Sequence, residues 1–248
     1  MKKVAFYTLG CKVNQYETNA MIEKFLNKEY KIVDFEEVAD IYVINTCTVT
    51  NMSDRKSRQI IRRVKQLNSN AILVVTGCYA QVASEELEKI EEIDLIIGNT
   101  EKVEIVNSVE TYCKKNVGVA LQGDPQNNNV NKINLTDINN QKEFVDFGTT
   151  TYTDKTRAVI KVQDGCNNFC SYCIIPYAKG RVRSRNMQNI LKEIKAVAKK
   201  GIKEVVITGI HVASYGIDFE EEIGLIDLLE EINKIDGIER IRLRIFGT

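Results

Sequence analysis

The sequence predicts an α/β protein with an open parallel α/β domain at the N-terminus, followed by an incomplete (β/α) barrel. From residue 1 to about 112, short β-rich runs alternate with helical runs, which is typical of a parallel sheet covered by helices. From Arg157 onward the alternation resumes in the order strand, loop, helix, strand, loop, helix, strand. Between these regions, from Lys114 to Thr156, the periodicity fades and asparagines accumulate. We therefore expect an N-terminal domain over 1–113, an Asn-rich linker over 114–153 with at most a short strand within 144–147, and a partial barrel over 154–248.

Three predicted strands of the first domain share an ending, in which small or polar residues lead to a cysteine. Right-handed crossovers return the strands of such a sheet in one direction, so the three cysteines should emerge at its carboxyl edge, where these folds bind ligands. Buried packing cysteines are the alternative, but those would fall inside elements as often as at strand ends. The strands and cysteines are Val4–Leu9 with Cys11, Ile41–Ile44 with Cys47, and Ile72–Val75 with Cys78.

Apolar spacing predicts the helices between these strands. Met21, Ile22, Phe25 and Leu26 mark the first, and Ile60, Ile61, Val64 and Leu67 mark the second. In the second domain the predicted elements are the strand Ala158–Val162, the helix Ile190–Lys200, the strand Glu204–Thr208, the helix Leu225–Ile235 and the strand Arg240–Ile245.

Composition excludes several classes of function. Lys plus Arg and Asp plus Glu number 34 each, so any contact with nucleic acid must be local. The single histidine, His211, makes Ser-His-Asp hydrolysis improbable, and we assign it no role. Seven cysteines without a signal peptide favour metal or catalytic thiols in the cytoplasm over disulfides, and no apolar run is long enough to cross a membrane.

A second cysteine site follows the first strand of the second domain, with the spacing C-x3-C-x2-C at Cys166, Cys170 and Cys173. Three thiolates can hold three irons of a four-iron cluster and leave the fourth iron open for a ligand. Structural zinc is the alternative, but it takes four closed ligands and no fourth Cys or His lies nearby. Cys113 lies in a helical run and is interpreted as a plain core or surface residue.

Four cations alternate after this site and would project to one side of an extended segment. Phosphate contact, pairing with a carboxylate of a bound cofactor, and a solvated charged surface are the three interpretations. The cations are Lys179, Arg181, Arg183 and Arg185.

The second site resembles the radical S-adenosylmethionine superfamily, in which an aromatic residue such as Tyr172 typically precedes the third cysteine. Together, the two sites resemble the methylthiotransferase family, with an auxiliary-cluster domain followed by a radical S-adenosylmethionine barrel. The segments that carry this resemblance are TLGCKVNQYE at 8–17, NTCTVT at 45–50 and TGCYAQ at 76–81.

The resemblance implies two 4Fe-4S clusters, one on Cys11, Cys47 and Cys78, and a catalytic one on the second trio that binds and cleaves S-adenosylmethionine. It implies that one S-adenosylmethionine methylates sulfur held at the first cluster, while another yields the radical that activates adenine C2. It implies no catalytic residue beyond the cluster ligands. Tyr172, Gly209 and Arg183 are the residues we expect near S-adenosylmethionine.

The LGCKVN form around Cys11 is most like the branch that acts on threonylcarbamoyladenosine at position 37 of tRNA, in the anticodon loop. A branch acting on isopentenyladenosine-37 and an inactive truncated cluster-binding fragment are the alternatives. The expected partners are tRNA, S-adenosylmethionine, an electron donor and a sulfur donor, and we expect a monomer. Family members continue through further barrel strands into a C-terminal RNA-binding domain, so we expect this chain to be C-terminally truncated.

Overall fold

The computed structural model describes residues 1–48, 51–122, 132–152 and 156–244. Its first domain is a parallel sheet with helices on both faces, as the alternation in the sequence predicted. Its elements are β1 (Lys3–Thr8), α1 (Lys12–Leu26), β2 (Lys31–Val33), β3 (Ile41–Thr46), α2 (Asn51–Leu67), β4 (Ile72–Gly77), α3 (Cys78–Val82), α4 (Ser84–Glu88), β5 (Leu95–Ile97), α5 (Ile105–Gln122) and β6 (Ile133–Asn134).

The sheet of the first domain has six strands in the order β2-β1-β3-β4-β5-β6, and every pairing is parallel. β3 is central and buried along its whole length, and its residues alternate between two apolar cores. Tyr42 and Ile44 point into the core beneath α2 and α4, while Ile41 and Val43 point into the core beneath α1 and α5. The sheet is therefore covered on both faces, and its strand ends are the exposed place at which a site can form.

The segment 114–153, expected to be a linker, contains regular structure in the part that the structure describes. α5 runs into it as far as Gln122, and β6 adds a sixth strand to the sheet beside β5. Residues 144–147 form no strand, but Phe147 packs into the core beneath α1. The segment is thus attached to the first domain, and the domain boundaries themselves stay a prediction.

The second domain contains a three-stranded parallel sheet in the order β11 (Arg240–Arg244), β10 (Glu204–Thr208) and β7 (Arg157–Lys161), with a short antiparallel ribbon of β8 (Gln163–Asp164) and β9 (Arg183–Ser184) beside it. The strands that are consecutive along the barrel are neighbours in space, which is the order of a (β/α) barrel. Its elements are β7 (Arg157–Lys161), β8 (Gln163–Asp164), α6 (Ile175–Lys179), β9 (Arg183–Ser184), α7 (Met187–Lys199), β10 (Glu204–Thr208), α8 (Leu225–Asn233) and β11 (Arg240–Arg244).

The predicted elements of the second domain agree with these bounds to within a few residues. α7 begins earlier than predicted because Asn186 caps it, accepting hydrogen bonds from the backbone N–H groups of Gln188 and Asn189. Ile245 and the asparagine run at 127–131 lie outside the described residues. Among the described helices, none combines the length and apolar character that crossing a bilayer requires.

Candidate metal centres

The first cysteine trio lies at one edge of the six-stranded sheet. Thr8 of β1 pairs with Asn45 of β3, and Asn45 pairs with Thr76 of β4, so the three strands end in register. A cysteine follows each strand end within three residues, so three distant parts of the sequence place a cysteine at one edge of the sheet. These cysteines are Cys11, Cys47 and Cys78.

The environment of the trio is largely closed to solvent. Cys47 and Cys78 are buried, and Cys11 is half-buried. Cys11 also occupies the N-cap position of α1, so it lies directly at the start of the helix that follows β1.

Two glycines allow the strand ends to approach each other at this edge. Gly10 has φ +96°, and a side chain there would place its Cβ 2.7 Å from the Cβ of Cys47. Gly77 has φ +102°, and its Cβ would lie 2.3 Å from the carbonyl oxygen of Thr46. Both positions combine a left-handed backbone with a space that no side chain can occupy, so glycine is required at each.

Two buried asparagines hold the cysteine-bearing loops together. The Asn14 amide donates to the carbonyl oxygens of Leu9 at 2.8 Å and Thr46 at 2.9 Å, which joins the ends of β1 and β3. The Asn45 amide donates to the Asn14 carbonyl at 2.9 Å and to the Thr18 hydroxyl at 3.0 Å. Their side-chain oxygens have no hydrogen-bond partner among the described residues, which leaves buried acceptors at the site.

Burial raises the pKa of the Cys78 thiol to about 12. Lys179 and Lys102 act against this rise, whereas the nearby charges of Cys11 and Cys47 add to it. The Cys78 thiol is therefore protonated at neutral pH in the metal-free protein, and metal binding would have to release its proton.

Among the residues that the structure describes, no three Cys, His, Asp or Glu side chains form a group that could hold a single metal ion. A four-iron cluster places different demands on its ligands, because each thiolate binds a different iron. Its ligands must surround a common space without converging on one point.

The second cysteine trio lies on the loop between β8 and α6. The backbone N–H of Cys166 donates to the carbonyl of Gly180 at 3.0 Å, and that of Cys173 donates to the carbonyl of Cys170 at 2.9 Å. Cys170 is exposed and the other two cysteines are half-buried. The loop is thus held at its start by the segment after α6, and its cysteines are more accessible than Cys47 and Cys78.

Gly165, just before this loop, lies against the backbone of the segment that follows α6. It has φ +72°, and a Cβ there would lie 1.8 Å from the Arg181 carbonyl oxygen. Arg181 also stacks on the ring of Phe169, with 4.4 Å from its guanidinium carbon to the ring centroid. Tyr172, an expected neighbour of S-adenosylmethionine, is 85% exposed on the loop.

The expectation that the four alternating cations project to one side of an extended segment is wrong. Lys179, Arg183 and Arg185 are buried, because α6 ends at Lys179 and the two arginines turn into the protein on β9 and just after it. For these three buried residues, two of the three interpretations are therefore excluded, namely a solvated charged surface and direct contact with phosphate. Arg181 is the exposed member of the four.

Arg183 presents two hydrogen-bond donors that no described residue satisfies. Its Nη2 donates to the carbonyl of Lys179 at 2.7 Å and lies 3.7 Å from a carboxylate oxygen of Asp164. Its Nε and Nη1 are buried without a partner. A buried guanidinium with free N–H groups can donate hydrogen bonds to the carboxylate of a bound molecule.

Gly209 follows β10 and packs against Gln163. A Cβ on Gly209 would lie 2.9 Å from the side-chain oxygen of Gln163, which accepts a hydrogen bond from the backbone N–H of His211 at 2.7 Å. The absence of a side chain at Gly209 is thus accounted for by this packing. Its expected proximity to S-adenosylmethionine stays a prediction.

A buried ion network lies where the two domains meet, and the sequence reasoning missed it. The Glu17 carboxylate on α1 contacts three buried ammonium groups, with Lys161 at 2.7 Å, Lys179 at 2.8 Å and Lys102 as a short contact. Lys161 also contacts Asp164 at 2.6 Å. A lysine within the apolar run of β7 was the signal that could have revealed it, since isolated charges are rarely buried without partners.

A second buried network joins the domains through Arg185. Its guanidinium pairs with Glu193 on α7 and with Asp146 at 2.7 Å, and it donates to the Tyr16 hydroxyl at 3.2 Å. Burial raises the pKa of Glu193 to about 7, although Arg185 acts to lower it. Arg185 therefore connects α1, α7 and the segment before β7.

Two families of known proteins match different parts of the chain. Residues 3–98 match the family described as "Uncharacterized protein family UPF0004", and residues 160–248 match the radical SAM superfamily. The first match contains Cys11, Cys47 and Cys78, and the second contains Cys166, Cys170 and Cys173.

Two curated relatives match almost the whole chain. The threonylcarbamoyladenosine tRNA methylthiotransferase MtaB of Aquifex aeolicus is 46% identical over 241 residues, which cover 97% of the chain and 55% of that relative. The protein of the same name from Bacillus subtilis is 40% identical over 244 residues, which cover 98% of the chain and 51% of that relative. The chain spans about half the length of these curated relatives.

A solved structure shares the fold at low sequence identity. The radical S-adenosylmethionine methyltransferase TsrM from Kitasatospora setae superimposes with a TM-score of 0.57 at 14% identity, covering 93% of the chain and 51% of that protein. At this identity the likeness concerns the fold alone. It confirms the predicted fold class, an N-terminal α/β domain followed by part of a radical S-adenosylmethionine barrel.

Proposed function

We propose that the chain, as a member of the methylthiotransferase family of radical S-adenosylmethionine proteins, methylthiolates C2 of N6-threonylcarbamoyladenosine at position 37 of tRNA. Two relatives of that name, at 46% and 40% identity, support the choice of substrate. The observation that carries the proposal is the in-register meeting of three cysteine-ending strands, combined with a separate C-x3-C-x2-C loop.

The proposed cofactors are two 4Fe-4S clusters and S-adenosylmethionine. The residues at the first site fit a cluster: three strand ends in register lead to three cysteines at one edge, and Gly10 and Gly77 keep side chains out of that edge. Cys11, Cys47 and Cys78 would hold this cluster, and Cys166, Cys170 and Cys173 would hold the other. When bound, the second cluster and S-adenosylmethionine supply the radical chemistry that an unactivated C–H bond requires.

The chain's own residues position these groups and limit access of water. The glycines and asparagines of the sheet edge fix the first trio, and burial keeps solvent from Cys47 and Cys78. The backbone hydrogen bond from Cys166 to Gly180 fixes the start of the second loop. No side-chain base could deprotonate adenine C2 at a useful rate, which is why the proposed role of the protein is positioning.

The proposed partners are tRNA, recognised at its anticodon loop, together with a sulfur donor and an electron donor in the cytoplasm. We also propose that the protein acts as a monomer. Deleting the gene should remove the methylthio group from threonylcarbamoyladenosine in tRNA and leave methylthiolated isopentenyladenosine unchanged, as measured by mass spectrometry of nucleosides. Loss of the isopentenyl product instead would assign the protein to the other tRNA branch.

Replacing one cysteine of either trio should remove one cluster and leave the other. After anaerobic reconstitution the unaltered chain should contain about eight iron atoms, since each of two clusters contains four. Cys47→Ala and Cys166→Ala should each retain about half of this iron, with different electron paramagnetic resonance spectra.

Cys113→Ala is the matched control, because Cys113 lies on α5 and contacts Lys2 just before the start of β1, opposite the strand end where the first trio lies, so this variant should not change the iron content. A colourless protein with stoichiometric zinc would contradict the proposal. So would equal loss of iron in all three variants.

Arg183 is proposed to bind the carboxylate of S-adenosylmethionine through its two unsatisfied donors. Arg183→Met should weaken binding about ten- to a hundredfold, because a charge-assisted hydrogen bond contributes about 1.5–3 kcal/mol. Calorimetric titration of the reconstituted protein measures the change. Arg181→Met removes a neighbouring exposed arginine and should have little effect; equal weakening by both variants would exclude a specific role for Arg183.

A further inference from the structure

The cluster of buried charged side chains around Glu17 contains more positive than negative charge. Lys102, Lys161, Lys179 and Arg183 are all buried there, while Glu17 and Asp164 are the only carboxylates that contact them among the described residues. Two cations thus have no protein carboxylate of their own, and the carboxylate proposed to bind Arg183 would leave one of the lysines without an anion. Burying charge without a counter-charge is strongly unfavourable, so a further anion is expected beside this cluster.

The position of Lys179 indicates where this anion lies. Lys179 is the last residue of α6, and α6 packs against α3, whose first residue is Cys78. Asn99, after β5, steadies α6 by donating to the Ala178 carbonyl at 2.7 Å, and its side-chain oxygen lies 3.3 Å from the Lys179 ammonium. Lys179 is therefore held beside the first cysteine trio by contacts from both domains.

The three lysines around Glu17 do not all face the same way. Lys179 ends α6, which packs against the helix that Cys78 begins, whereas Lys161 contacts Asp164, which lies two residues before Cys166. The cluster of buried charges consequently has one side near the first trio and another near the second.

We propose that Lys179, supported by Lys102, is the fixed counter-charge of the cluster at Cys11, Cys47 and Cys78 and raises the reduction potential of that cluster. This inference rests on the proposed function, because it requires a cluster at that site. Three thiolates give the loaded site a negative charge that offsets the excess of buried cations. Net charge near a cluster is one of the factors that set its potential, and a nearby cation favours the reduced, more negative state.

Glu17 is the positioning residue of this arrangement. It contacts neither trio, but its two carboxylate oxygens hold the ammonium groups of Lys102, Lys161 and Lys179 in place. Because it has three partners, removal of one lysine still leaves it two. Single lysine variants should therefore retain the fold better than a variant of Glu17.

The experiment compares Lys179→Met with Lys161→Met in a chain that also carries Cys166→Ala, Cys170→Ala and Cys173→Ala, so that only the first cluster is measured. Both lysine variants remove one buried partner of Glu17, which makes them a matched pair. Redox titration followed by electron paramagnetic resonance gives the midpoint potential. We expect Lys179→Met to shift it to a more negative value and Lys161→Met to shift it clearly less.

Two further variants test whether the shift of the midpoint potential in Lys179→Met comes from a folding defect of that variant. Lys102→Met should shift the potential in the same direction as Lys179→Met, and Lys179→Arg should restore the original value by keeping the charge. An equal shift for Lys179→Met and Lys161→Met, or none for Lys179→Met, would overturn this inference alone. Failure of the parent chain to bind iron at the first trio would overturn the proposed function together with the inference.

Discussion

Replacing Gly77 by alanine is expected to destabilise the protein by about 2–5 kcal/mol and to abolish iron binding at the first trio. A left-handed backbone costs a residue with a Cβ about 1–2 kcal/mol, and overpacking adds about 1–3 kcal/mol. The overpacking arises because the new Cβ would lie 2.3 Å from the Thr46 carbonyl oxygen and 2.6 Å from its nitrogen. Relief of this contact would move β3 away from β4 and separate Cys47 from Cys78.

The variant Gly201→Ala separates the cost of the left-handed backbone from the cost of overpacking. Gly201 has φ +81°, but a Cβ there would meet no atom within 4 Å, so this variant should show the conformational cost alone, about 1–2 kcal/mol. Urea unfolding followed by circular dichroism measures both variants, and iron analysis reports on the site. Equal destabilisation of the two variants, or full iron binding by Gly77→Ala, would show that the close approach of the strands is not required.

Replacing Glu17 by glutamine should have the largest effect on stability of any charge-neutralising change at the junction of the domains. Glutamine has nearly the same shape but no charge, so three buried ammonium groups would lose their shared carboxylate. Removing one partner of a buried ion pair typically costs about 3–5 kcal/mol. Urea unfolding at neutral pH measures this loss.

The difference in stability between the unaltered chain and Glu17→Gln should depend on pH. Burial alone would raise the pKa of Glu17, but the three lysines hold it well below its usual value of 4.5. The ionised carboxylate therefore stabilises the fold above about pH 4.5, and this contribution is lost as the pH falls through the lowered pKa. The difference in stability between the unaltered chain and Glu17→Gln should shrink as the solution becomes acidic.

Glu204→Gln is the matched control for Glu17→Gln. Glu204 also accepts three cationic partners, Arg157, Arg240 and Arg242, but these contacts lie at the solvent-accessible side of β10. Water and salt screen such pairs, so this variant should change stability little. A loss comparable to that of Glu17→Gln would mean that burial is not the cause of the larger effect.

The architecture was predictable because strand patterns and strand ends are local signals. Cys11, Cys47 and Cys78 could be assigned to one sheet edge from topology alone, since parallel strands end on the same side. β6 could not be predicted, because a two-residue strand has no periodicity and its pairing is decided by the free edge of β5. The asparagine-rich sequence around it favoured a linker instead.

The electrostatics of the site were not predictable in the same way. Lys179 and Arg183 appeared in the sequence as members of an alternating series on one extended segment, but α6 ends and a two-residue strand begins within that series. Glu17 closes the segment 8–17 and Lys102 lies in no motif, and both are far in sequence from Lys179 and Arg183. Only the folded chain shows that their charges meet, because the contacts join residues up to 162 positions apart.

The shared carboxylate of Glu17 has a consequence for how the two halves of the chain can evolve and be engineered. Glu17 and Lys102 come from one half and Lys161 and Lys179 from the other, so neither half satisfies its own interior when separated. Grafting the cysteine-bearing sheet onto another barrel would leave Glu17 with Lys102 alone, and the reverse graft would leave Lys179 without its carboxylate. The two halves must be inherited as a pair, and chimaeras should succeed only where all four of these positions come from the same parent.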